Sequence, residues 1–485
     1  MAEKKDVAII GAGMSGLCMA IELLRRGISN FVVLEKSSGV GGTWYDNTYP
    51  GACCDVPSVL YSFSFEPNPN WSRIYSPHHE IRAYFEHCAD KYGLRPHLRL
   101  NTAVAEAAFN EEGGYWQVSL ANGEQLEARS VVSGLGQLNM PYIPDFEGAA
   151  NFDGPSFHSA RWNHDIDLSD KRVAVIGSAA SALQFIPHVA AKVKQLYVYQ
   201  RNANYVVERK DRAYTEVEQR CFARYPWLQK MHRLKSYLLG EWFFYPAMRS
   251  RSLVRILWLR WFRSYLKQSV SDPEVRDKLT PDYLLGCKRI LLSDDYFQTF
   301  NRNNVELVTS PIKGIGERGV CSADDVKRDI DVLIYGTGFT ASDLLSAVEF
   351  RGTGGQRLRQ AWADGAEAYR GVCVAGFPNL FMLYGPNTNL GSNSIIFMVE
   401  QQVKYVASCI EKILQQNLHS LDVRPEVMKR YNQWMQQELG KMVWVSRCES
   451  WYKNAAGKVI NNWPHSTMAY RRHMRLPDFS DFKQK

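Results

Sequence analysis

Two short turns in this chain have the residue types needed to hold a dinucleotide. An apolar run from Asp6 to Ile10 leads into Gly11-Ala12-Gly13-Met14-Ser15-Gly16 and an amphipathic stretch to Arg26, and a second apolar run, Phe31 to Leu34, ends at Glu35. In a strand–turn–helix of this kind Gly11 permits the tight bend, Gly13 lets backbone approach a pyrophosphate, and Gly16 lets the helix pack closely on the strand. The helix N-terminus stabilises phosphate charge, and Glu35 can accept hydrogen bonds from ribose hydroxyls. The pattern recurs from Arg172 to Ile176, which leads into Gly177-Ser178-Ala179-Ala180-Ser181-Ala182. The strand after it, Leu196 to Tyr199, ends in Gln200-Arg201-Asn202 with no acid. A carboxylate there favours a free ribose 2′-hydroxyl, whereas Arg201 suits a 2′-phosphate. A charge-assisted contact of about 1.5–3 kcal/mol favours NADPH over NADH by roughly ten- to more than a hundredfold.

Three other stretches carry candidate chemistry. Gly42-Thr43-Trp44 through Tyr49-Pro50-Gly51 to Asp55, with Tyr61 just beyond, offers flat apolar surface and one carboxylate. It reads either as a wall for a flavin ring or as an aromatic loop that fills core. Lys288-Arg289 precedes an extended run ending at Val308, and two adjacent cations before a strand read first as solvated surface. Gly385 to Gly391, containing Asn389 and Leu390, is expected to open a helix whose N-terminus could polarise a flavin carbonyl.

The elements that must position these residues follow from pattern and length. At 485 residues the chain has room for two or three domains with buried cores. A helix expected after Ser76-Pro77 and a meander from Glu106 to Val132, with turns at Gly113-Gly114 and Asn122-Gly123, complete the first unit. Residues 214–272 read as helical, aromatic and basic. Arg251 and Arg255 fall on one side of a helix and Arg260 on the other, so no clean polar face is expected. A buried insertion bordering the substrate pocket is therefore favoured over a membrane-surface helix. A strand from Asp331 into Gly336-Thr337-Gly338 is expected to return the chain to the first domain.

Composition excludes several classes. A formal charge of +8 without a Lys/Arg run disfavours nucleic acid. The short charged lead before Asp6 leaves no room for a targeting peptide, and no long apolar stretch could span a bilayer, so a cytoplasmic location is expected. Ten scattered cysteines without a CxxC or CxxxxC pair fit reduced thiols and argue against a disulfide reductase, and no metal set is present.

Between the two nucleotide units lies Phe152-Asp-Gly154-Pro-Ser-Phe-His158-Ser-Ala-Arg-Trp162. Its pattern FxGxxxHxxxW resembles the fingerprint of the Baeyer–Villiger monooxygenases, and Gly42 to Asp55 matches the second pattern of that family, GxWxxxx(F/Y)P(G/M)xxxD. The resemblance covers nearly the whole chain. It implies an α/β fold with two Rossmann-like dinucleotide-binding domains, the NADPH domain inserted into a discontinuous FAD domain. The corresponding division is 1–145 and 329–485 for FAD, 146–168 for a linker, and 169–328 for NADPH, including the helical insertion. It also implies that Thr43, Trp44, Asp55 and Tyr61 lie along the flavin, with Val104 and Gln137 touching the flavin nucleotide. Lys288 would reach the NADP 2′-phosphate, while Arg289 would lie at the flavin edge and stabilise a C4a-peroxide. Asp55 would act as charge partner of Arg289, and Trp451-Tyr452 would lie near nicotinamide or substrate. The implied reaction converts a ketone and O2 to an ester or lactone. Oxygenation of amines or sulfides, and a non-catalytic nucleotide-sensing flavoprotein, are the alternatives. Gly154, His158 and Trp162 are expected to form a hinge rather than to catalyse. Asn163, Ala179 and the Gly336-Thr337-Gly338 turn depart from the family's commonest residues.

Overall fold

The computed structural model describes residues 3–340, 344–446 and 450–485. Strand Glu3–Ile10 runs parallel to Phe31–Leu34 on one side and to Gln125–Ser133 on the other. Its uncharged end is buried on both faces: Val7 and Ile9 enter one core cluster, Ala8 and Ile10 another. That two-sided burial explains a continuous apolar run without alternation. The strand order across the sheet is Glu349–Arg351, Val104–Asn110, Tyr115–Leu120, Gln125–Ser133, Glu3–Ile10, Phe31–Leu34 and Leu98–Arg99, with Leu380–Met382 also paired to Gln125–Ser133. The meander strands Val104–Asn110, Tyr115–Leu120 and Gln125–Ser133 pair antiparallel.

A second sheet is wholly parallel, in the order Val305–Val308, Gln195–Tyr199, Arg172–Ile176, Val332–Tyr335, Ser156–His158. Here too alternate residues feed two cores, Val173 and Val175 on one side, Ala174 and Ile176 on the other. The sequence expectation for the strand after Asp331 is corrected: Val332–Tyr335 pairs with Arg172–Ile176 and belongs to the second sheet. Ser156–His158, inside the stretch expected to be a linker, forms the edge of that same sheet. Short parallel strands that are apolar throughout carry no alternation to mark which sheet they join. The helix expected from Gly385 starts later, at Ile395, where the Ser394 hydroxyl accepts from the Ile396 N–H, and it runs to Gln415 against helix Met14–Arg25.

Between residues 216 and 269 the helical segments are Glu216–Arg224, Pro226–Leu239, a π segment Gly240–Phe244, Tyr245–Ala247 and Val254–Ser269. The expectation of burial fails here, because Trp227, Met231, Leu234, Leu239, Trp242 and Leu253 are all exposed. Arg251 precedes the helix Val254–Ser269, so it says nothing about that helix's faces. No helix of the described residues is long and apolar enough to cross a membrane. Among the described residues eight cysteines are free thiols and Cys287 is disulfide-bonded, a departure from the expected reduced thiols.

Candidate active site

The carboxyl ends of the strands in both sheets, Ile10 and Leu34 in the first, Ile176 and Tyr199 in the second, open onto one cavity of about 1160 Å³. Ligands in open α/β sheets bind at this end.

At the first turn Gly11 has φ +102°, and a Cβ there would lie 2.9 Å from the Gly134 carbonyl oxygen. Gly13 and Gly42 present bare backbone to each other, a Cβ on Gly42 falling 3.0 Å from the Gly13 Cα. Glu35 is buried; its Oε2 accepts from the Ala12 N–H at 2.7 Å and its Oε1 from the Ser37 N–H at 2.9 Å. The carboxylate therefore pins the turn as well as facing the cavity it lines. Gly16 does not line the cavity. A Cβ there would lie 1.9 Å from the Gly11 carbonyl oxygen, so its place is the close seat of helix on strand. Ser15 lines the wall beside it.

The second turn repeats this geometry. Gly177 has φ +111°, and its missing Cβ would lie 2.3 Å from the Gly336 carbonyl oxygen. Ser178, Ala179 and Ser181 line the cavity with Arg201 and Asn202, whereas Ala182 packs beneath against Gly336. Helices Met14–Arg25 and Ala180–Ala190 start at Gly13 and Ala179 with no side-chain cap and no acid in the first turn. Their first N–H groups are thus left for an outside acceptor, and phosphate suits both the donors and the dipole. Two such turns facing one cavity fit two dinucleotides.

Between them sits an ion pair. Arg289 forms a two-pronged ion pair with Asp55, Nε to Oδ2 at 2.9 Å and Nη2 to Oδ1 at 2.8 Å and to Oδ2 at 2.7 Å. The Asp55 carboxylate holds the guanidinium pKa above its ordinary value against the opposing effect of burial, so Arg289 stays charged at any working pH. Both residues line the cavity, as do Thr43, Trp44, Tyr61, Val104, Asn389 and Leu390. The Trp44 indole N–H donates to the Tyr61 hydroxyl at 3.0 Å, with the rings edge to face. Gln137 donates through Nε2 to the Tyr384 carbonyl at 3.0 Å, leaving its buried Oε1 without a protein partner. Lys288 also lines the cavity, with its ammonium 4.6 Å from the Tyr283 ring centre. Trp451 is on the wall; Tyr452 is behind it, its phenol pushed up to about 12 by burial.

The three hinge candidates do not line the cavity. A Cβ on Gly154 would lie 2.5 Å from the Asp331 carbonyl oxygen, so Gly154 allows the edge strand to close on its neighbour. His158 is buried; its Nδ1 accepts from the Ala160 N–H at 3.1 Å and burial holds its pKa down. Trp162 packs on Phe157 and Phe185.

Tyr384 and Gln184 are among the cavity residues that sequence reading missed. Tyr384 takes a left-handed φ of +62°, uncommon for a bulky residue, and its hydroxyl donates to Asn389 Oδ1 at 2.5 Å. Gln184 lies on the helix of the second turn and ties it to the aromatic loop, accepting from the Tyr49 hydroxyl at 2.9 Å and donating to the Cys53 carbonyl at 2.9 Å. Gln184 carried no local signal; the Gly385-Pro386 that follows Tyr384 marks a turn without saying which residue bends left-handed.

Comparison with known proteins agrees with this geometry. Residues 8–224 match the family described as pyridine nucleotide-disulphide oxidoreductase. A protein of Pseudomonas aeruginosa named Baeyer-Villiger monooxygenase is 42% identical over 484 residues, spanning 98% of this chain and 90% of its own. A steroid monooxygenase solved with NADP superposes with a TM-score of 0.89 at 30% identity, covering 99% of both chains. A structure titled OTEMO complex with FAD and NADP gives 0.89 at 26% identity over 100% of both.

Proposed function

The chain belongs to the Baeyer–Villiger monooxygenase family, and from that premise we propose that it converts a ketone and O2 to an ester or lactone with FAD and NADPH, using Arg289 and Asp55 as its reacting-centre pair. Bound in this cavity, NADPH would supply a hydride and FAD would pass its two electrons to O2, one atom of which goes to the ketone and the other to water. The chain's own residues supply the rest. The N–H groups at Gly13 and Ala179 hold the two pyrophosphates, and Glu35 takes the ribose of FAD. Arg201 and Lys288 take the 2′-phosphate of NADPH. Arg289 holds fixed positive charge where negative charge develops on the transferred oxygen, which costs no reorganisation because Asp55 already orients the guanidinium. Trp44 and Tyr61 wall the ring and keep water from it. Gly154, His158 and Trp162 set the angle between the two nucleotide units.

The observation that carries this reading is the Arg289–Asp55 fork, standing in one cavity with both glycine turns. Its test is NADPH oxidation by the flavin-loaded protein with and without a panel of bulky apolar ketones, with ester, sulfoxide and hydrogen peroxide measured together. Ketone-dependent ester formation is expected. Hydrogen peroxide alone, with every ketone and sulfide inert, overturns the reading. A cytoplasmic location and an apolar ketone of bulk suited to the aromatic walls are part of the same proposal.

A further inference from the structure

The helix Pro226–Leu239 is built inside out. Its inward face is polar: Gln229 is buried and donates to the Asn68 carbonyl at 2.6 Å, and Arg233 donates to the Val59 and Ser62 carbonyls at 2.7 and 3.1 Å. Its outward face is apolar: Trp227, Met231 and Leu234 are 57%, 60% and 54% exposed. At roughly 100° per residue these three fall within an arc of about 60°, with Lys230 on one flank and Lys235 on the other. The chain then presents Trp242 at 73% exposure and Leu253 at 83%, followed by exposed Ile256 and Leu257. Side chains of this size singly exposed need no explanation, but a continuous stripe on one helix marks an interaction surface.

Charge selects the partner. From Arg220 to Lys267 the chain holds eleven Lys and Arg and one acid, more positive charge than the formal +8 of the whole protein. That acid, Glu241, is buried, with its Oε1 accepting from Asn393 Nδ2 at 3.0 Å and from the Thr467 hydroxyl at 2.7 Å, so it faces away from the exposed stripe. Among the cations Lys230, Lys235, Arg249, Arg251, Arg260 and Arg263 are exposed. Tryptophan, methionine and leucine bordered by Lys and Arg are the composition of a helix lying in the plane of an anionic bilayer. The segment also touches the cavity. Gly240 packs so closely on the 392–393 backbone that a Cβ would lie 2.7 Å from the Ser392 carbonyl oxygen, and Asn393, held by Glu241, lines the cavity wall.

We propose that the outer face of helix Pro226–Leu239, with Trp242, docks on an anionic phospholipid surface, where apolar ketones concentrate. The contact is interfacial, and it stands whether or not the proposed reaction does. The test is flotation of the purified flavin-loaded protein with vesicles of phosphatidylcholine alone and with about a third phosphatidylglycerol. Wild type is expected to bind the anionic vesicles at least tenfold more tightly than the neutral ones. The exposed triple variant Trp227→Ser/Met231→Ser/Leu234→Ser is expected to lose at least tenfold of that binding while keeping flavin content and its oxidation of a water-soluble ketone. Lys230→Glu/Lys235→Glu should abolish the anionic preference. Absence of wild-type binding, or full binding by the triple variant, refutes the proposal. So does a concentration-dependent dimer in sedimentation that the triple variant abolishes without any vesicle binding, which would make the stripe a contact between two copies of this chain.

Discussion

Replacing Asp55 by Asn leaves the shape of the Asp55–Arg289 pair intact and removes its charge. Three donor–acceptor contacts link the two groups, and the side chains are only 27% and 29% exposed. Each charge-assisted hydrogen bond is worth about 1.5–3 kcal/mol, and contacts within one fork are not additive. Asn keeps one accepting oxygen but turns an N–H2 toward the guanidinium, so the fork loses about 2 kcal/mol of orienting energy. If that energy serves to hold Arg289 where the transferred oxygen gains charge, ester formation falls roughly thirtyfold. If the pair acts only on the transferred oxygen, as proposed, NADPH oxidation continues and its product shifts from ester to hydrogen peroxide. The assay is ester, peroxide and NADPH in one reaction vessel. Arg289→Lys, with charge but no fork, should fall between Asp55→Asn and an inactive Arg289→Ala that still binds flavin. Asp55→Asn with wild-type ester per NADPH refutes the reasoning, since the fork would then have no hold on the reacting centre.

Arg201→Ala is expected to lower the preference for NADPH over NADH by roughly ten- to a hundredfold, read as the ratio of the two kcat/KM values. His158→Ala should slow ketone oxidation without releasing FAD; a wild-type rate removes the hinge role. Asp422 gives a pH signature: burial pushes its carboxyl up to about 6, against a backbone N–H from Gly376 that favours the charged form. A carboxyl raised in the fold contributes its stability while protonated and loses it as pH rises through 6, a loss of about 3 kcal/mol by linkage. Asp422→Asn should therefore raise Tm at pH 7.5 and make no difference near pH 4, and an unchanged Tm at pH 7.5 counts against it. Gly16→Ala should cost flavin binding and stability together, because its Cβ has no room beside the Gly11 carbonyl; calorimetry and flavin content check this.

Both nucleotide turns were legible in the sequence because a strand–turn–helix closes within one short segment, and Glu35 lies at a fixed distance from Gly16 along it. That Arg201 lines the cavity was legible for the same reason. Asp55 and Arg289 were not legible from spacing, since they meet across 234 residues; only the family resemblance pointed to them together. The strand Val332–Tyr335 was visible as a strand but not as a member of the second sheet, because hydrophobic runs report burial and not partners. Periodicity also fails to say which side of a helix faces water. The sequence of Pro226–Leu239 contains an apolar stripe, and the usual inference turns that stripe inward, yet Gln229 and Arg233 find backbone carbonyls there and turn it out. Tyr384 shows another limit, since its left-handed backbone depends on what surrounds it.

The carbonyls that crown the two glycine turns have a consequence for the order of assembly. Gly11 closes against Gly134, but Gly177 closes against Gly336, and the edge strand Ser156–His158 has no neighbour until Val332–Tyr335 has been made. At a synthesis rate of about 5–20 residues per second, the second turn waits roughly ten to thirty seconds for its lid while the chain emerges. During that wait Arg172–Ile176 has one flank open, and a nascent chain released near residue 330 would keep it open. The enzyme's second nucleotide pocket is in this sense a late product of translation, and chains cut short before Val332 should be found with chaperones rather than with cofactor.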